Sequence, residues 1–285
     1  MFLIGAFFGF SYYKKYKANN VAKEGYFFVP TGAGYEQILD SIRPYVKNFE
    51  AFKDVAANRN MDRFNHPGRY KVVSGKSNTE LVDMIKNGNQ TDLTFRIGDF
   101  GDVYQMMGKV AKKTELDSLS FIKEFDKIAQ QKGLNNAEDL KKYFFIDTYN
   151  FFWTVKPNEF FKKFEDQYNG FWTAERKQKL QQSGLTENQV YALASIVYKE
   201  SGGKPDEQKT IAGLYLNRFH KGMKLQSDPT VIYAINKDTG FTQDIRRVLY
   251  KHLTHPSPYN TYANAGIPPG PICTVSYTHL RAHET

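Results

Sequence analysis

In the stretch "LASIVYKESGG", Leu193, Ile196 and Val197 recur at the i, i+3, i+4 spacing of a helix that buries one face. The next place on that face, i+7, holds Glu200. A carboxylate in the last turn of such a helix meets two effects that disfavour its charged form, partial burial and the negative end of the helix dipole. The spacing therefore predicts a carboxyl group that keeps its proton near neutral pH and can give it to a leaving group. A structural Glu paired with a cation has the same appearance, and Arg218 on the following helix is the available partner.

Other chemistry is sparsely represented. Cys273 is the single cysteine, so neither an internal disulfide nor a Cys zinc cluster can form. His252 and His255 stand three apart in "HLTH", without an HExxH pattern and just before Pro256, which reads as a surface turn rather than a metal site. No metal and no cofactor are expected.

The elements that must hold Glu200 are well marked. Thr186 and Gln189 form a capping-box pattern ahead of "VYALASIVYKE", and Gly202 and Gly203 stop that helix. A second helix, "EQKTIAGLYLNRFHKG", ends at Gly222. In "LQSDPTVIYAI", Ser227 or Asp228 caps a third, with Pro229 in its first turn. "SPYNTYANAGIPPGPI" follows as a long loop of the kind that carries binding groups.

Upstream, "GYFFVP" and "RYKVV" read as strands, while "GYEQILDSIRPYV" and "SNTELVDMIKNG" have helical spacing, the latter capped by Ser77 or Asn78 and ended by Gly88. Residues 25–95 thus form a small α/β module. Residues 96–180 are mainly helical, interrupted by "FFIDTYNFFW", which is a buried strand and turn or an aromatic cleft wall. The fold class is α+β: the small module plus a larger, mainly helical region with mixed strands, whose core spans 181–274.

The ends read differently. Residues 1–20 contain an uncharged apolar run, Met1–Tyr13, too short for a full span of about 20 residues; it is expected to be part of a membrane anchor. Residues 275–285, "VSYTHLRAHET", have no period or cap and read as a non-native tail after a shortened core; His279, His283 and Glu284 are set aside with it.

The chain has 285 residues, 41% hydrophobic and 15% aromatic, which suits a packed core and excludes disorder. Its 39 basic and 30 acidic residues give a net charge of +9, which favours anionic surroundings. No Arg-rich run or nucleic-acid motif accompanies that charge, so nucleic acid is not an expected partner.

"LASIVYKES", "AGLYLNRFHKGMKLQSDPTVIYA" and "SPYNTYANAGIPPGPI" stand in this order, and together they resemble the YceG-like family of endolytic murein transglycosylases. "HPGRYKVVSGKSNTELVDMIKNG" resembles the LysM-like region of that family. The resemblance implies cleavage of the β-1,4 bond between N-acetylmuramic acid and N-acetylglucosamine in nascent glycan strands, leaving 1,6-anhydro ends. It implies that Glu200 is the catalytic acid and base. Many members carry an acidic residue two positions earlier, where this chain has Tyr198.

The remaining blocks acquire roles under the same resemblance. Asn217 and Gln226 are expected to hydrogen-bond sugar acetamido or hydroxyl groups, and Arg218 to orient Glu200 or meet an anionic group. Asp228 is a substrate contact or a helix cap. Tyr259, Asn260, Thr261 and Tyr262 are expected to line the cleft. The implied partners are peptidoglycan glycan strands, the inner membrane through the anchor, and cell-wall synthases; the implied location is the plasma membrane, single-pass, with the catalytic region outside the cytoplasm. The alternative is a non-catalytic peptidoglycan-binding protein of the envelope.

Overall fold

A computed structural model describes residues 2–64 and 66–276, with side chains from residue 6 onward. The order of elements is α1 (Phe2–Tyr16), β1 (Gly25–Val29), α2 (Tyr35–Ile42), α3 (Phe49–Asn58), β2 (Gly68–Val72), α4 (Asn78–Lys86), β3 (Leu93–Ile97), α5 (Val103–Ala111), α6 (Ser118–Gln131), β4 (Asp147–Phe151), α7 (Pro157–Phe171), α8 (Ala174–Ser183), α9 (Glu187–Glu200), α10 (Pro205–His220), α11 (Asp228–Asp238) and α12 (Tyr250–Leu253). The class is mixed α+β, with two two-stranded sheets, β1–β2 and β3–β4. The chain forms two units, one of residues 1–94, 113–116 and 150–155, the other of the remainder.

In the first unit β1 and β2 run antiparallel, with Phe27 opposite Tyr70. Alternation along both strands sends Phe27, Val29, Tyr70 and Val72 into a core shared with Ile38, Leu39, Phe52, Leu81 and Ile85. Ser77, rather than Asn78, caps α4: its hydroxyl meets the Glu80 N–H while the Glu80 carboxylate accepts from the Ser77 N–H. Helix α3, which the sequence pattern leaves unassigned, starts at an Asn48 cap. Helix α1 has 15 residues and exposes Phe7, Phe8 and Phe10. No helix among the described residues is long and apolar enough to cross a membrane.

The second unit contains Glu200. Most of the aromatic run from Phe144 supplies core: Phe144 packs on Phe125 and Phe164, Tyr149 on Phe164, and all are buried, while Phe152 near its end is exposed. Helix α9 buries Tyr191 through Val197 and packs against α10 and α11. Gly202 and Gly203, at φ +58° and +79°, end it in a conformation that side chains with a Cβ rarely adopt.

Val275 requires a correction to the proposed tail. It is fully buried, its carbonyl accepts from the Ile146 N–H at 3.0 Å, and its N–H donates to the Tyr191 hydroxyl at 3.2 Å. These bonds make it part of the folded core. His279, His283 and Glu284 lie outside the described residues.

Candidate functional site

Glu200 is the last residue of α9. Burial falls away along that final turn, from Val197 inside the core through half-buried Tyr198 to exposed Lys199 and Glu200. The expectation of a partly buried carboxylate is therefore corrected: the helix runs past the packed layer before its apolar stripe is complete. The side chain is nevertheless held. Its Oε1 accepts from the Tyr215 hydroxyl at 2.9 Å and from the Ser227 hydroxyl at 2.6 Å. Both donors are buried and come from separate elements, Tyr215 from α10 and Ser227 from the start of α11. Burial pushes the Tyr215 phenol up, and the neighbouring Glu200 charge adds to the effect. A phenol that keeps its proton remains a donor.

Ser227 occupies the N-cap position of α11, with Asp228 and Pro229 as the first helical residues. Its hydroxyl makes no cap hydrogen bond, being turned to Glu200 instead. Gln226 precedes it at φ +56°, the left-handed region that non-glycine residues seldom occupy. That turn sends the Gln226 carboxamide to Arg218, whose guanidinium donates to Oε1 at 2.6 Å. Arg218 thus reaches Gln226 rather than forming an ion pair with Glu200. Its Nε is buried and has no partner among the described residues. Asn217, next to it on α10, is exposed.

The Pro-rich loop divides into support and surface. Asn260 is fully buried and donates to the carbonyls of Leu253 and His255, each at 2.9 Å, while its own carbonyl accepts from the Tyr262 N–H at 3.0 Å. Thr261 is buried, accepting the Ser227 N–H at 2.9 Å and meeting the Thr230 hydroxyl at 2.8 Å. Tyr259 packs its ring on Tyr233, centroids 4.8 Å apart. These three were expected to line a cleft, but their side chains are engaged inside the fold. Tyr262 is half-buried and donates to Asp228 at 2.7 Å. Its phenol is pushed up to about 12 by burial, then by the hydrogen bond to Asp228 and the charges of Asp228 and Glu200. Asp228 is exposed and serves the first turn of α11, where a negative charge suits the dipole, as well as Tyr262.

A groove of about 360 Å³ is lined by Lys199, the neighbour of Glu200 in sequence, and by Pro229, Ile232, Tyr233, Asn236 and Phe241. A second, of about 280 Å³, runs along residues 95–102 and shares Gly101 and Phe241 with the first. Asn236 Oδ1 has no partner among the described residues. Tyr233, in the groove wall, accepts from the buried Lys141 ammonium at 2.7 Å, and Lys141 also pairs with Glu138 at 3.0 Å. Burial pulls Lys141 down and pushes Glu138 up, each partly countered by the other's charge.

His252 Nδ1 accepts from the Leu249 N–H, and His255 Nε2 lies 2.7 Å from Asp238, so the two imidazoles serve separate local contacts. The arrangement provides a carboxyl group with one oxygen tied by two hydroxyls and the other without a hydrogen bond among the described residues. Sequence reasoning missed Tyr215, given no role within its helix, and Ser227, read only as a cap. The groove residues Gly101 and Phe241 lie 140 positions apart and carry no sequence signal of their proximity.

Comparison with known proteins gives a consistent picture. A family model described as the YceG-like family matches residues 27–284. An endolytic murein transglycosylase of Bacillus subtilis is 26% identical over 273 residues, covering 89% of this chain and 73% of that protein. One of Streptococcus pneumoniae is 37% identical over 93 residues, 33% of this chain and 16% of that protein. The crystal structure of a YceG-like protein from Listeria monocytogenes shares the fold, with a TM-score of 0.58, 22% identity, and coverage of 92% of this chain and 90% of that one.

Proposed function

Because the chain belongs to the YceG-like family, we propose that it is an endolytic murein transglycosylase acting on the glycan strands of peptidoglycan, with Glu200 as its single acid and base. The observation that carries this reading is the carboxyl group itself. Glu200 closes the block that resembles the family's catalytic segment, is held through Oε1 by two hydroxyls, and directly follows Lys199, which lines a groove.

The reaction needs one proton carrier used twice. Glu200 protonates the glycosidic oxygen between N-acetylmuramic acid and N-acetylglucosamine as the C1–O bond breaks. The C6 hydroxyl of the muramic sugar attacks its own C1, and Glu200 takes the hydroxyl proton. A 1,6-anhydro end forms, the carboxyl group returns to its starting state, and neither water nor a metal or organic cofactor is consumed. The usual glycosidase scheme with two carboxylates differs in requiring a second one for a nucleophile or a bound water.

Exposed Asn217, together with Gln226 backed by Arg218, supplies hydrogen bonds to acetamido and hydroxyl groups of the strand. Tyr262 and Asp228 form one lip of the site, with the Tyr262 ring packing on a sugar face. Tyr259, Asn260 and Thr261 act from beneath by fixing that lip. In the same reading residues 25–95 are a LysM-like module that docks glycan, a role supported by the compact sheet-and-helix core of the first unit. Helix α1, with its exposed phenylalanines and Lys14 and Lys15 in the last turn, belongs to an anchor in the plasma membrane, the catalytic region facing outward near cell-wall synthases.

The test is the mass of products released from purified peptidoglycan. Anhydro-muropeptides from the parent protein, and none from Glu200→Gln, are expected. Reducing ends would mean a hydrolase. Binding without release by the parent would mean the non-catalytic alternative, and cutting by Glu200→Gln at the parent rate would remove the acid/base assignment.

A further inference from the structure

The two hydroxyls at Glu200 converge on the same oxygen. Ser227 Oγ lies 2.6 Å and the Tyr215 hydroxyl 2.9 Å from Oε1, while Oε2 has no hydrogen bond among the described residues. Ser227 is held rigidly for this contact. Its N–H donates to Thr261 Oγ1 at 2.9 Å, its carbonyl accepts from the Thr230 hydroxyl at 2.6 Å, and it is fully buried. The left-handed turn at Gln226 fixes the direction from which it approaches.

We propose that Ser227 and Tyr215 are positioning residues that confine the exchangeable proton of Glu200 to Oε2. The inference rests on the transglycosylase reading and specifies which atom performs both proton transfers. An ionised carboxylate offers Oε1 as an acceptor to both hydroxyls. When Oε2 gains a proton, Oε1 becomes a carbonyl oxygen and still accepts from both. A proton on Oε1 would instead displace one of the two donors. The clamp therefore survives each protonation change at Oε2 and opposes any change at Oε1. The oxygen that gives a proton to the glycosidic oxygen is the one that regains a proton from the C6 hydroxyl, with no rearrangement of the support between the two steps. Ser227 and Tyr215 exchange no proton with substrate in this scheme.

Ser227→Ala and Tyr215→Phe test it, assayed on purified peptidoglycan with melting temperature measured alongside. Each variant is expected to lower kcat roughly ten- to a hundredfold, the effect of losing one hydrogen bond to a charged group, with KM within about twofold of the parent. The double variant is expected to fall short of the product of the two losses, because the hydroxyls act on one atom. Parent-like kcat in both single variants overturns the proposal. So does a raised KM with kcat unchanged, which marks substrate contacts, or a loss in both variants that merely follows melting temperature. These outcomes are separable from failure of the underlying reading. An inactive Glu200→Gln beside fully active Ser227→Ala and Tyr215→Phe removes the clamp and keeps the transglycosylase, whereas an active Glu200→Gln removes both.

Discussion

Lys141 donates to the hydroxyl of Tyr233 across 2.7 Å, from a position where only 1% of the lysine is exposed. Its anionic partner is Glu138, 12% exposed, which also accepts from the Val103 N–H at the start of α5. A buried ion pair contributes little by existing, because desolvation offsets the attraction, yet breaking it leaves an uncompensated charge. Lys141→Met is therefore expected to destabilise the protein by about 3–5 kcal/mol. The double variant Glu138→Gln/Lys141→Met should recover much of that loss. Urea titration of the three proteins measures both effects.

Asn260 ties the carbonyls of Leu253 and His255 and the N–H of Tyr262 together with one buried carboxamide. Asn260→Ala leaves two carbonyls and an N–H without partners. A loss of about 3 kcal/mol is expected, with the unsatisfied groups as its main source. Asn260→Asp should be similarly damaging, since a carboxylate cannot donate to the Leu253 and His255 carbonyls. Thermal unfolding checks this. A direct substrate contact would instead appear as weaker glycan binding at unchanged stability.

The buried Cys273 thiol is pushed up from 9.0 to about 12, and the buried Tyr70 phenol from 10.0 to about 12, each chiefly by burial. The folded state holds these protons where the unfolded chain releases them. Their contribution to stability is fully present below the unfolded values and is lost as pH rises through the folded ones. Unfolding free energy is thus expected to decline from about pH 9 to about pH 12. Cys273→Ala and Tyr70→Phe should each flatten that decline in denaturant titrations at stepped pH. At pH 8, a thiol reagent should modify Cys273 only as the protein opens.

A Cβ added at Gly101 would stand 2.8 Å from Cε1 of Phe241. The ring can yield, because it is the far end of a side chain, but it would move within the wall common to both grooves. Gly101→Ala is expected to cost less than about 1 kcal/mol in stability. Under the proposed function it should change KM on glycan strands more than it changes the melting temperature.

Local chemistry was legible in the sequence wherever it acts over a few residues. The Thr186–Gln189 cap, the start of α4 at Ser77 or Asn78, the stop at Gly202–Gly203 and the place of Glu200 at the end of α9 all depend on spacing alone. The environment of Glu200 was not legible. An apolar stripe states which face a residue shares, but not how far the partner helices extend, and here the packed layer ends at Val197. Ser227 fits the pattern of a cap perfectly well, and only the three-dimensional approach of α9 diverts its hydroxyl. Asn260 and Thr261 sit in a loop of small and polar residues that reads as a binding surface. Their burial follows from contacts with residues 227, 230, 253 and 255, which no local pattern encodes. Lys141 likewise looks like any surface lysine until Glu138 and Tyr233 are seen to enclose it.

Under the proposed function, the diverted hydroxyl of Ser227 sets heat tolerance against turnover at a single position. Helix α11 begins without the side-chain bond its N-cap serine would normally supply, a deficit of about 1 kcal/mol. Selection for a hardier protein would favour returning that hydroxyl to its own helix, and selection for activity would favour keeping it on Glu200. Thermostable relatives chosen or evolved at this site should therefore be slower, and the fastest ones should begin to fray at the first turn of α11.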